Sequence, residues 1–124
     1  MEHEVMVIMI PIALCLLDVF SGYAAAIRNN ELNSTKMREG LWGKVGELVA
    51  IVVSKLCDLC MTAYGDNFIN VDLNTPFCVT ICGIVSLYEL TSVFENIGKL
   101  SPAFGAWLIE HVGIDPAKVG LKND

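Results

Sequence analysis

The sequence predicts an all-α integral membrane protein with three transmembrane helices and a short C-terminal amphipathic helix. Three observations predict it. Of the 124 residues 54% are apolar or aromatic, only 18% are charged, and the apolar residues fall in continuous runs rather than at amphipathic spacing. A soluble domain carries about a quarter charged residues to keep its surface wet, so this composition points to lipid as the solvent. The length accommodates a single domain, residues 1–124. Eight Lys and Arg against 14 Asp and Glu give a net charge of −6, which disfavours nucleic acid, whose phosphates need a basic face.

The first run, Val5 to Ile27, is 23 residues long and interrupted by Pro11, Asp18, Ser21 and Gly22. As a helix rising about 1.5 Å per residue it reaches about 35 Å, enough to cross a bilayer. A cleaved secretory signal is the rival reading, with Ala24-Ala25-Ala26 as the small residues of a cleavage site. Against it, Met1-Glu2-His3-Glu4 offers acids where a signal needs positive charge, and Asp18 breaks the apolar stretch. The run therefore reads as a span over 5–27. Beside Asp18, the small residues Ser21, Gly22, Ala25 and Ala26 form two overlapping small-xxx-small pairs, a face for close helix packing and, in its specific version, an oligomer seam.

The second span, about 45–63, is less apolar and carries Glu47, Ser54, Lys55, Asp58 and Thr62. At about 100° per residue, Glu47, Ser54 and Asp58 share a narrow arc, with Lys44 and Lys55 on its flank. Lys55 and Asp58, three apart, are expected to pair on the helix. The third span, about 77–94, is nearly continuous to Tyr88. Glu89 then signals the approach to water, with Glu89, Ser92 and Asn96 on one side.

An ionised side chain at the centre of a span costs about 2.5–3.5 kcal/mol on the insertion scale, so these groups need an account. Glu47, Ser54, Lys55, Asp58, Glu89, Ser92, Glu95 and Asn96 are candidate intramembrane polar or pore-lining residues. Either they are satisfied inside the bundle or they line water. Three helices are too few to enclose a wide lumen, so water-lining stripes imply several copies, and that reading is preferred because intramembrane ionisable groups tend to mark function.

The polar stretches Arg28 to Lys44 and Tyr64 to Pro76 read as connecting loops. In the tail, 95–124, Ser101-Pro102 begins a helix. Its continuation through Ala103 to His111 puts Phe104, Trp107 and Leu108 on one face, which lies either on the membrane surface or against the spans. Asp115-Pro116 looks like a second cap before a frayed, polar end. Arg28, Lys36, Arg38 and Lys44 fall in the first loop and Lys99, Lys118 and Lys122 in the tail, while the amino end and second loop hold no Lys or Arg. The expected orientation is amino terminus outside and carboxyl terminus cytoplasmic.

Five cysteines sit at 15, 57, 60, 78 and 82. The 57/60 and 78/82 pairs flank the second loop and are placed to face each other across adjacent spans. A metal site or a disulfide there is set against plain buried thiols, and the thiols are preferred because the flanks lack the turn residues of zinc knuckles. His3 and His111 lie at opposite ends, without a ligand cluster around them. No nucleotide, hydrolase or metalloprotease motif occurs, so an enzyme is the weakest class and neither cofactor nor resident metal is expected.

Asp18 to Gly22, followed by Ala25-Ala26 and then Ser34, Gly40 and Lys44, resembles the end of the first span and the first loop of the phage lysis and toxin-secretion holin family. More specifically, Glu89-Leu90-Thr91-Ser92-Val93-Phe94-Glu95-Asn96 is similar to that family's E-x-x-S-x-x-E-N signature, with Gly98 and Pro102 echoing the segment beyond it. The resemblance covers roughly residues 10–110. Pro102 follows Asn96 by only six positions, closer than is common in the family, which leaves the docking of the tail open. The resemblance implies a small phage-encoded or prophage-derived protein of the bacterial inner membrane. Such a protein accumulates, forms homo-oligomers and opens holes at a set time, through which an endolysin or a toxin leaves as cargo without stable binding. Two rivals come from other classes: an antiholin-type regulatory membrane protein, and a small channel or transporter accessory subunit.

Overall fold

A computed structural model describes residues 2–68 and 76–121, which form four α-helices and a closing 3-10 turn. These are α1 (Glu2–Arg28), α2 (Ser34–Phe68), α3 (Phe77–Leu100), α4 (Pro102–Val112) and the turn Pro116–Val119. No strand occurs among the described residues.

The all-helical expectation holds, with corrections to the boundaries. The stretch Arg28 to Lys44 is not a loop: only 29–33 separate α1 from α2, and 34–44 are the first turns of α2. The local cause is Asn33, whose Oδ1 accepts from the backbone N–H groups of Thr35 and Lys36 at 3.0 and 3.2 Å and so satisfies donors that a helix start leaves free. Asn30, at φ 53°, takes the left-handed turn that lets the chain reverse. In the second polar stretch α2 continues to Phe68, and 69–75 lie outside the described residues. The third helix runs past Phe94 to Leu100, so the tail begins at Ser101 rather than Glu95.

By length and composition, α1 and α3 can each cross a membrane. Among the described residues the 35-residue α2, which carries Lys44, Glu47, Lys55 and Asp58, is not one of them. The expectation of three spans is met for two.

The broadest packing is between α1 and α3, with α2 against α3 and only marginally against α1. Residue pairings give the directions. Asn96, near the end of α3, meets Asp18 and Ser21 in the second half of α1, so those two helices run parallel. Glu4 of α1 meets Lys55 of α2, while Asp18 further along α1 meets Lys44 earlier in α2, so α2 runs antiparallel to both. The buried apolar cluster is small: Cys15, Ile51, Cys78, Cys82 and Val85. Large apolar side chains instead point outward on every long helix, among them Phe20, Val52 and Leu87. In water that surface would be a liability, whereas lipid accepts it without penalty.

The tail folds back onto α3. Leu108 is buried, Phe104 lies 6.4 Å from Phe94 between ring centroids, and Trp107 stacks on Phe104 at 5.8 Å while remaining about half exposed. Asp115 caps the 3-10 turn by accepting from the Ala117 N–H at 3.0 Å, as its position before Pro116 suggests. The segment after it is not frayed through residue 121: Val119 is buried against Gly98. Gly98 and Gly105 permit this docking, since a Cβ on Gly105 would stand 2.9 Å from the Gly98 carbonyl oxygen.

Candidate functional site

The three long helices meet around one cation. Lys44 enters from α2 with its Nζ 2.7 Å from Asp18 Oδ2 of α1, hydrogen-bonded to Glu89 Oε1 of α3, and 3.9 Å from Glu47 Oε2 one turn along its own helix. Glu89 is fully buried, and the side chains of Lys44, Asp18 and Glu47 are at most 21% exposed. The Tyr88 ring adds a cation–π contact, its centroid 5.9 Å from Lys44 Nζ.

The sequence pattern puts Glu89 near water; the fold puts it in the interior, because the side of α3 that carries Glu89 packs against α1 and α2. Ion pairing then compensates part of its desolvation. The compensation is incomplete, since Glu89 Oε2 is buried without a hydrogen-bond partner.

A neutral layer adjoins the ions. Asn96 Nδ2 donates to Asp18 Oδ1 at 2.9 Å and reaches Ser21 Oγ at 3.1 Å, and Ser21 Oγ donates to the Asp18 carbonyl at 3.2 Å. Gly22 makes room for this layer: a Cβ there would lie 3.4 Å from Asn96 Nδ2. Ala25 is buried and Ala26 half-buried on the same helix. The small face expected around Gly22 therefore receives α3 of the same chain.

Toward the other end of the bundle, Asp58 does not pair with Lys55. Its two carboxylate oxygens accept from the backbone N–H groups of Phe77 and Cys78 at 2.7 and 3.0 Å, capping α3 across the helix interface. The first turn of a helix offers unpaired donors and a positive dipole end, a better partner for a carboxylate than an exposed ammonium. Lys55 turns instead to Glu4 at 3.8 Å, a largely exposed pair worth at most about 1 kcal/mol. Ser54 is buried and donates to the Ile51 carbonyl at 2.7 Å. Ser92 and Glu95 line a shallow groove with Tyr88 and Lys118, where Glu95 Oε1 sits 3.6 Å from Lys118 Nζ.

The cysteine pairs do not face each other. Cys57 and Cys60 are exposed on α2, Cys78 and Cys82 are buried on α3 with their sulfurs 3.9 Å apart, and all are free thiols. The sulfurs of α2 point away because the other side of that helix carries Ser54 and Asp58 inward.

Of the polar candidates, the fold brings Glu47, Glu89, Asn96, Asp18 and Ser21 into one cluster and leaves Ser54, Lys55, Asp58, Ser92 and Glu95 outside it. Sequence reasoning missed two members. The sequence pattern sets Lys44 only on the flank of the stripe, although it bridges all three helices, and Cys15 reads as a plain buried thiol, although its Sγ donates to Glu47 Oε2 at 3.6 Å. The signal for Lys44 was present: a lysine at the edge of an apolar run that holds acids needs an anion nearby.

The chain matches the bacteriophage holin family over residues 3–114, which takes in α2, α3, α4 and all of α1 but Glu2. No match was found among curated proteins or among solved structures.

Proposed function

The chain belongs to the bacteriophage holin family, and on that footing we propose that it oligomerises in the bacterial inner membrane and opens holes that release an endolysin or a toxin at a timed moment. The observation that carries this reading is the buried charge cluster around Lys44, in a protein whose helices are otherwise clad in apolar side chains. Such a cluster gives the polar groups internal partners while the chain accumulates as a closed unit. It also stores the groups that an aqueous lumen needs.

In this reading α2 is the third span. Its charged residues Lys44, Glu47 and Asp58 find partners on α1 and α3, and its outward side shows Val45, Leu48, Val49, Val52 and Leu56 to lipid or to another copy. On assembly, pairs within one chain are exchanged for pairs between chains, and Glu47, Ser54, Lys55, Asp58, Glu89, Ser92, Glu95 and Asn96 turn toward a shared lumen. Exchange conserves the ion pairs, so the net free-energy change is small compared with breaking them outright. Arg28, Lys36, Arg38 and Lys99 all lie at the end of the bundle where α1 finishes, which supports a cytoplasmic carboxyl terminus.

Expression in a bacterium with and without a co-expressed cytoplasmic lysin tests the reading. A holin stops growth by itself and, with the lysin, releases folded cytoplasmic enzyme into the medium. A regulator of other holins does neither, and an ion-conducting subunit leaks ions while retaining protein; either outcome refutes the proposal.

A further inference from the structure

Three carboxylates, those of Asp18, Glu47 and Glu89, surround the single ammonium of Lys44, so the cluster carries a formal charge of −2 in a bundle that faces lipid. The excess is localised. Lys44 engages Asp18 and one oxygen of Glu89, while the other oxygen of Glu89 is buried without a partner. The Glu89 carboxylate is grouped with Glu47 and the buried thiol of Cys15: one ligand atom from each of the three residues falls within 4.8 Å of the others.

We propose that Cys15, Glu47 and Glu89 form a binding site for a divalent, thiolate-accepting metal ion of the zinc type. Two observations carry this independently of the hole-forming reading. The first is the fully buried Glu89 carboxylate, whose Oε2 has no hydrogen-bond partner. The second is spacing. With Zn–S near 2.3 Å and Zn–O near 2.1 Å, a tetrahedral angle separates sulfur from oxygen by about 3.6 Å. Cys15 Sγ and Glu47 Oε2 stand 3.6 Å apart. One sulfur and two carboxylates suit zinc better than magnesium or calcium, which take oxygen ligands alone.

Binding balances as follows. The Cys15 S–H bond breaks, its proton goes to water, an S–metal bond forms and the two carboxylates donate oxygen lone pairs. The cluster passes from −2 to −1, and Lys44 remains hydrogen-bonded to Oε1 of Glu89, orienting that carboxylate. The metal joins all three long helices by coordination: Cys15 from α1, Glu47 from α2 and Glu89 from α3.

Titrating the full-length chain in detergent micelles with Co2+ as a spectroscopic probe, followed by competition with Zn2+, tests the site. The expected result is one Co2+ per chain with a near-ultraviolet thiolate-to-cobalt charge-transfer band that Zn2+ displaces, and release of at least one proton per metal. Cys15→Ser removes the band. Glu47→Gln and Glu89→Gln each weaken binding by more than the roughly 10–100-fold typical of losing an outer-shell partner. The double variant Cys57→Ser, Cys60→Ser keeps the band, because those thiols are exposed and remote from the cluster. Far-ultraviolet circular dichroism establishes that each variant remains helical, and Cys15→Ser, which changes a single atom, serves where a glutamate variant does not fold. Absence of saturable Co2+ binding, a band that survives Cys15→Ser, or a band lost with Cys57 and Cys60 overturns the proposal.

Discussion

Lys44 of α2 and Glu89 of α3, 45 residues apart in sequence, form a hydrogen-bonded ion pair in which the glutamate is completely shielded from solvent. The same ammonium holds Asp18 of α1 at 2.7 Å, so one side chain ties the three long helices together. Removing it leaves the carboxylates of Asp18, Glu47 and Glu89 without their counter-charge.

Lys44→Met is therefore expected to destabilise the monomeric fold by about 3–5 kcal/mol, the range for breaking a buried ion pair from one side. Adding Glu89→Gln recovers part of the loss, because the stranded charge is then gone. Reversible unfolding in mixed micelles measures both, and equal stability of the single and double variants would show that the pair is not coupled.

Asp58 supplies both hydrogen-bond acceptors for the first turn of α3. Asp58→Ala should cost about 1–2 kcal/mol and speed amide exchange at Phe77 and Cys78, leaving the end of α3 near Glu95 protected. Asp58→Asn retains one acceptor and should fall between. Hydrogen exchange read by mass spectrometry localises the effect.

At Gly22 the size of the substituent decides the sign. An added Cβ would make ordinary contact with Asn96 at 3.4 Å, so Gly22→Ala is expected to be neutral, or stabilising by up to about 1 kcal/mol through helix propensity. Gly22→Leu must displace Asn96 from Asp18 and Ser21 and should destabilise by about 1–3 kcal/mol. The contrast between the two variants in thermal unfolding checks the contact.

Gly105 allows no such latitude, since its missing Cβ would press on the Gly98 backbone at 2.9 Å. Gly105→Ala should lift α4 and the 3-10 turn off α3, separating Val119 from Gly98 and speeding tryptic cleavage after the already exposed Lys118. Unchanged cleavage kinetics at Lys118 would count against this docking.

Much of this architecture was legible in the chain because lipid-facing helices announce themselves as long apolar runs. The span read over 5–27 became Glu2–Arg28, and the short helix read from Ala103 to His111 became Pro102–Val112. The start of α2 was obscured because Gly40, Gly43 and the charges around them look like a loop, whereas Asn33 already marked a helix cap. The pairing of Asp58 escapes the sequence for a different reason. Spacing of three on a helix offers Lys55 as a partner, but the competing partner, the start of α3, is 19 residues away and invisible to local periodicity. The cluster at Lys44 is likewise a product of tertiary packing: only the parallel packing of α1 on α3, with α2 running antiparallel against α3, brings Asp18, Glu47 and Glu89 to one ammonium.

Ser54 offers a direct test of the proposed hole opening, because it is 5% exposed and faces the interior of the bundle. In a chain whose native cysteines are replaced by alanine, Ser54→Cys can be labelled by a membrane-impermeant maleimide before and after the onset of lysis. If polar groups turn from internal partners to a shared lumen, the thiol is protected while the chain accumulates and becomes labelled as cytoplasmic enzyme is released. Lysis at normal timing with the thiol still protected would contradict the account.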